Sequence, residues 1–191
     1  MYLFFDTETT GLPDDWKAPV SDLDNWPRMV QLAWLQYDNL EKLVMTRSFI
    51  VKPEGFSIPQ EASNVHGITT EKALSEGNSI IDVLEAFQLA IDGSKFLIAH
   101  NMSFDEKILG AEFLRQGTKN PFRKKTKICT KEESTEFCAI DGYYGYKWPT
   151  LSELHTGLFK TDIENAHDAA SDVEACAKCF FELKHLGVIV D

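Results

Sequence analysis

The chain has 191 residues, 43% of them apolar and 26% charged, with a formal net charge of -11. That length supports one domain, residues 1–191, with a full core and leaves little room for two, while the composition excludes a disordered polar chain. The negative charge argues against a broad grip on duplex nucleic acid, whose phosphates need Lys and Arg.

No apolar run reaches the roughly 20 residues that span a bilayer. The N-terminus lacks the basic segment, apolar core and cleavage site of a secretory signal, so a cytoplasmic location with no membrane partner is expected.

Tyr2 to Phe5 is predicted to be a buried strand that runs into Asp6-Thr7-Glu8-Thr9-Thr10-Gly11-Leu12 and is ended by Gly11 and Pro13. Residues i and i+2 of a strand face the same side. Asp6 and Glu8 therefore share one small volume, where like charges repel unless protons, basic side chains or a cation compensate them. No Lys or Arg occurs from Met1 to Trp16. A hard divalent cation such as Mg2+ or Mn2+ suits carboxylate oxygens; an acidic turn closing a strand is the alternative.

Residues 14–27 show no period and are expected to form a loop. Met29 to Tyr37 and Val44 to Val51 are strand-like and separated by polar residues, which predicts an antiparallel hairpin. A short helix and a glycine turn follow over Glu61 to Thr69. Ile80, Ile81, Leu84, Phe87 and Ile91 recur at helical spacing after a cap at Asn78 or Ser79. Lys95 to Ala99 is then a strand that a crossover lets run parallel to the first. Ser103 to Gln116 is the next helix, stopped by Gly117.

Six basic residues and no acid lie between Lys119 and Lys131, which fits either a solvated loop or contact with a nucleic-acid backbone. Thr126 to Cys129 is a strand, Gly142 to Pro149 an aromatic loop, Leu151 to Leu158 a short helix, and Asp168 to Leu186 the final helix. Cys176 and Cys179 are neighbours on a helix, but the eight-residue gap between Cys129 and Cys138 lacks the usual zinc-ligand spacing, so small apolar packing is the role expected for most of the four cysteines.

Two further acidic positions stand out. Asp105 follows the strand end His100-Asn101 in the first turn of a helix, where a carboxylate either answers the helix dipole or serves a site at the strand end. His167 and Asp172 are five residues apart and do not share a helix face. His167 is therefore expected in the preceding loop, leaning over a site into which Asp172 reaches from the helix.

Taken together, D-T-E-T-T-G with Asp6 and Glu8, H-N-x-x-F-D with Asp105, and H-D-A-x-x-D with His167 and Asp172 resemble the three motifs of the DnaQ-like 3'-5' exonuclease family. In particular they are similar to its histidine-bearing branch, which includes the proofreading epsilon subunit of bacterial DNA polymerase III, ribonuclease T and oligoribonuclease. The resemblance implies an α/β, ribonuclease H-like fold: a mixed sheet of an antiparallel meander and parallel strands, flanked by helices.

It also implies that Asp6, Glu8, Asp105 and Asp172 hold two divalent cations, Mg2+ or Mn2+, and that His167 is the general base, suited by an ordinary pKa near neutrality. The implied reaction releases nucleoside 5'-monophosphates from a nucleic-acid 3' end, DNA favoured over RNA, with a replication or repair partner. An exoribonuclease and a binding module that has lost catalysis are the alternatives.

Implied substrate contacts are Thr9, Thr10, Gly11, Leu12, Asn101 and Phe104, with His66 in A-S-N-V-H-G-I-T. His66 is otherwise a polar turn residue, and Phe104 otherwise core. The chain ends soon after the last helix, without a long polymerase-binding tail, which argues against constitutive polymerase attachment.

Overall fold

The computed structural model describes residues 1–164 and 166–190. Its centre is the strand β1 (Tyr2–Thr9), flanked by the antiparallel pair β2 (Met29–Tyr37) and β3 (Leu43–Ile50) on one side. The parallel strands β4 (Phe96–Ala99) and β5 (Thr126–Cys129) lie on the other, giving the order β3-β2-β1-β4-β5.

Between β3 and β4 come helices α1 (Gln60–His66), α2 (Thr70–Glu76) and α3 (Ile80–Asp92), and α4 (Met102–Arg115) joins β4 to β5. After β5 come α5 (Thr130–Glu133), α6 (Thr135–Cys138), the two-residue strands β6 (Asp141–Gly142) and β7 (Gly145–Tyr146), α7 (Leu151–Phe159) and α8 (Ala169–His185). Among the described residues no helix is long and apolar enough to cross a membrane.

The alternation of β1 sorts its side chains onto two faces. Leu3 and Phe5 join Phe87, Ile91, Ile108, Leu109 and Phe122 beneath α3 and α4. Tyr2 and Phe4 pack with Val173, Cys176, Phe180 and Leu183 of α8, with the rings of Phe4 and Phe180 5.2 Å apart. Asp6 and Glu8 continue the Tyr2 and Phe4 row toward α8, while Thr7 continues the Leu3 and Phe5 row toward α4. This division decides which helix supplies which acid to the site.

The observed β1 runs four residues beyond Phe5, because β2 pairs along its whole length, with Asp6 opposite Ala33 and Glu8 opposite Gln31. β4 pairs only with Tyr2 to Phe4, so the acidic end of β1 projects past its parallel neighbour and opens a notch. α1 ends at Gly67, whose φ of 73° forms a left-handed cap with its N–H donated to the Ser63 carbonyl at 2.8 Å.

α2 falls where the sequence showed no apolar stripe. Only its Ala73 is buried, and Thr69 starts it by accepting a hydrogen bond from the Lys72 N–H at 3.2 Å. All four cysteines are free, and Cys129, Cys176 and Cys179 are buried.

Candidate active site

β1 and α8 bring three of the expected carboxylates together. Oxygen atoms of Asp6, Glu8 and Asp172 all lie within 4.8 Å of one another, the one group of this kind among the described residues. Burial pushes the Asp6 carboxyl far above its usual range, and the charges of Asp105, Glu8, Asp172 and Asp168 add to the effect. Glu8 is raised to about 8, by burial first and then by Asp172, Asp105 and Asp168. Asp172 is also raised by burial, against the opposing pull of the His167 N–H. So many carboxyl groups held upward in one place are a stored electrostatic cost that a cation would cancel.

Asp105 stands beside this group. It is buried in the first turn of α4, and its Oδ1 accepts hydrogen bonds from Thr7 N at 3.1 Å and Thr7 Oγ1 at 2.8 Å. Burial raises its carboxyl to about 7, with the Thr7 bonds and Lys131 pulling the other way. Its charge is the strongest of those acting on Asp6.

His167 lies in the turn before α8, exposed, with a φ of 70°. Its N–H donates to Asp172 Oδ2 at 3.1 Å, so the turn and the helix carboxylate are fixed to each other. His167 lines a groove of about 500 Å3 that also has Asp6, Asp172, Asn101, Lys131 and Trp148 in its walls.

The implied substrate residues divide. Thr9 Oγ1 donates to the Gly11 carbonyl at 2.7 Å, and Thr10 is tied to Arg28 through both its N–H and its hydroxyl. Arg28 is in turn held by the buried Glu112 at 2.9 Å. These bonds fix the turn and leave Leu12 outside it, 71% exposed. His66 is buried at the end of α1: Nδ1 accepts from Ile68 N at 3.1 Å, while Nε2 has no hydrogen-bond partner. Burial lowers its pKa, and the neighbouring Thr9 backbone partly offsets that. Phe104 packs against the core and against Trp16, with ring centroids 5.7 Å apart. Asn101 Oδ1 accepts from Lys131 Nζ at 2.6 Å.

Sequence reasoning did not single out Asp168, which raises Asp6, Glu8 and Asp172 from the entry to α8 and accepts from Gln31 Nε2 at 2.9 Å. His100, the first residue of H-N-x-x-F-D, was given no role of its own. That ring is buried, and its Nδ1 and Nε2 are each 3.0 Å from a partner, Thr130 Oγ1 and the Pro149 carbonyl. Burial drives its pKa down to about 4. Of the basic run, Lys131 alone lines the groove; Lys127 pairs with Glu106 at 2.6 Å, and Lys125 donates to the Ser94 carbonyl at 2.7 Å.

A mixed sheet with one antiparallel and one parallel flank, and carboxylates gathered at the end of its central strand, defines a ribonuclease H-like protein with an acidic site. The exonuclease family model, of the RNase T type, matches residues 3–180. The chain belongs to this family of DnaQ-like 3'-5' exonucleases.

It is 27% identical over 176 residues to the DNA polymerase III epsilon subunit of Treponema pallidum, covering 92% of this chain and 73% of that protein. It is 28% identical over 182 residues to the PolC-type DNA polymerase III of Listeria innocua, covering 95% of this chain but 11% of the polymerase. In fold it matches E. coli exonuclease I in complex with a dT13 oligonucleotide, with a TM-score of 0.77 at 20% identity over 96% of this chain and 40% of that one. A zinc-bound form of E. coli exonuclease I with single-stranded DNA matches at a TM-score of 0.73 and 22% identity, over 97% of this chain and 40% of that one.

Proposed function

We propose that the protein is a divalent-metal-dependent 3'-5' exonuclease that releases nucleoside 5'-monophosphates from single-stranded or frayed DNA ends in proofreading or repair. The observation that carries this reading is the convergence of Asp6, Glu8 and Asp172 within 4.8 Å, with Asp105 beside them. Their donor set fits Mg2+ or Mn2+: all the ligand atoms are hard carboxylate oxygens, and their raised carboxyl groups record a repulsion that bound cations would relieve.

Cations bound there supply Lewis-acid stabilisation of the charge that builds on the phosphoryl oxygens. The chain's own residues do the rest. His167, on its exposed turn, takes the proton of the attacking water. Its anchor on Asp172 holds the turn over the groove. The Thr9 to Leu12 turn, braced by Arg28, stops the 3' end, and Leu12 packs under the terminal base. His66, at the end of α1 beside the Thr9 backbone, borders the terminal nucleoside.

DNA is favoured because the relatives are replicative DNA polymerase components and the matched exonuclease I structure holds dT13. The test is digestion of 5'-labelled DNA and RNA single strands of the same sequence with Mg2+ or Mn2+. DNA is expected to shorten stepwise from the 3' end and to be protected by EDTA. Faster loss of RNA would make the protein an exoribonuclease, and no cleavage of either strand would refute the enzyme reading.

A further inference from the structure

The groove beside the carboxylates has a second wall that the hydrolytic chemistry leaves unused. Lys131 Nζ sits 2.6 Å from Asn101 Oδ1 and 4.5 Å from the centroid of the Trp148 ring. An ammonium group has three donors, so the Asn101 bond leaves Lys131 with protons to offer. Trp148 is 60% exposed, which leaves ring surface open to a ligand.

Both residues are held from behind by His100, which bonds Thr130 next to Lys131 and the Pro149 carbonyl next to Trp148. Being neutral with a pKa near 4, His100 keeps both bonds at physiological pH without adding charge to the groove. Between β6 and β7, Tyr143 and Tyr144 are 91% and 97% exposed. Lys131 lies over one face of the Trp148 ring, and the ring keeps 60% of its surface exposed, so a cation and the remaining aromatic surface stand side by side in the wall of the carboxylate groove. A nucleotide needs a cation for its phosphate and an aromatic face for its base.

We propose that Lys131 and Trp148 form a subsite for the nucleotide immediately 5' of the one being released, with Lys131 on its phosphodiester oxygens, Trp148 stacked on its base, and Asn101 positioning the lysine. This assignment rests on the exonuclease reading above. It makes Asn101 a positioning residue, because its side-chain oxygen is already engaged by Lys131. It also gives the protein a reason to prefer single strands, since a base can meet Trp148 only when it is unpaired.

Two substrates separate the subsite from the chemistry. The p-nitrophenyl ester of thymidine 5'-monophosphate has one nucleoside and no second nucleotide, whereas an oligothymidylate has both. With Mn2+ present, Trp148→Ala is expected to lower the ratio of kcat/KM for oligonucleotide over ester by about 10- to 100-fold, and Trp148→Phe to restore most of it. Lys131→Gln is expected to reduce the slope of log kcat/KM against log salt by about 0.7 on the oligonucleotide.

A parent enzyme that cleaves both substrates, with an unchanged ratio in Trp148→Ala, overturns the subsite alone. Equal losses on both substrates also overturn it, by making Trp148 a structural residue. A parent that cleaves neither overturns the exonuclease reading and the subsite with it.

Discussion

Replacing Glu8 by Gln should make the metal-free protein more stable, although it removes a residue of the acidic site. The Glu8 carboxyl is raised from 4.5 to about 8, by burial and by the charges of Asp172, Asp105 and Asp168. At pH 7 the unfolded chain carries this charge and the folded protein holds a proton in its place. At about 1.4 kcal/mol per pH unit, holding that proton costs about 3 kcal/mol. Partial access to water and the sharing of charge among neighbouring acids reduce the figure to about 1–2 kcal/mol.

Gln keeps the shape without the charge, so Glu8→Gln is expected to raise Tm in EDTA at pH 7 by about 2–8 °C. The folded form of the parent binds the proton more tightly than the unfolded chain does. Its metal-free stability therefore falls as pH rises from 4.5 through about 8, and the advantage of Glu8→Gln vanishes toward pH 4.5. Added Mg2+ or Mn2+ should stabilise the parent more than the variant. Thermal melts and urea unfolding in EDTA and in metal, at pH 5 and pH 7, measure these effects. A Glu8→Gln protein that is less stable than the parent in EDTA at pH 7, or whose effect is the same at both pH values, would refute the reasoning.

His167→Ala is expected to lose about 10²- to 10⁴-fold in rate, as removal of a general base does, while keeping the parent's rise in Tm on adding Mg2+; a simultaneous loss of that rise would show a structural role instead. His100 has the opposite linkage to Glu8. Its folded pKa of about 4 lies below the ordinary 6.5, so its contribution is fully present above pH 6.5 and is lost as the pH falls toward 4. The stability difference between the parent and His100→Gln should therefore shrink by about 1–2 kcal/mol between pH 7.5 and pH 5, and an equal difference at both values would mean that the ring is not held neutral.

The elements with a clear apolar period were legible before the structure was in hand. Strands β1 to β5 and helices α3, α4, α7 and α8 fall within a few residues of their expected bounds. Their alternation also showed that Asp6 and Glu8 share a face. What the period did not reveal is what lacks one: α2 buries a single alanine, and β6 and β7 are two residues each.

The site divides in the same way. Acids two apart on a strand, or in the first turn of a helix, announce themselves locally. The Thr7 bonds to Asp105 join residues 98 apart in sequence, and the Gln31 bond to Asp168 joins residues 137 apart. The basic stretch 119–131 left a solvated loop and a nucleic-acid contact both open; the strand expected over Thr126 to Cys129 is there as β5, and it sets Lys131, two residues beyond its end, in the groove. The signal available was its place just beyond the end of a strand parallel to β1.

The central claim is most directly tested by identifying the product. A single-stranded DNA labelled at its 3'-terminal nucleotide, incubated with the parent protein and Mg2+, should release that label first and as a nucleoside 5'-monophosphate. Asp6→Asn, folded and assayed in parallel, should release none. Label released as the free nucleoside, internal cleavage before the end is lost, or undiminished release by Asp6→Asn would contradict the account.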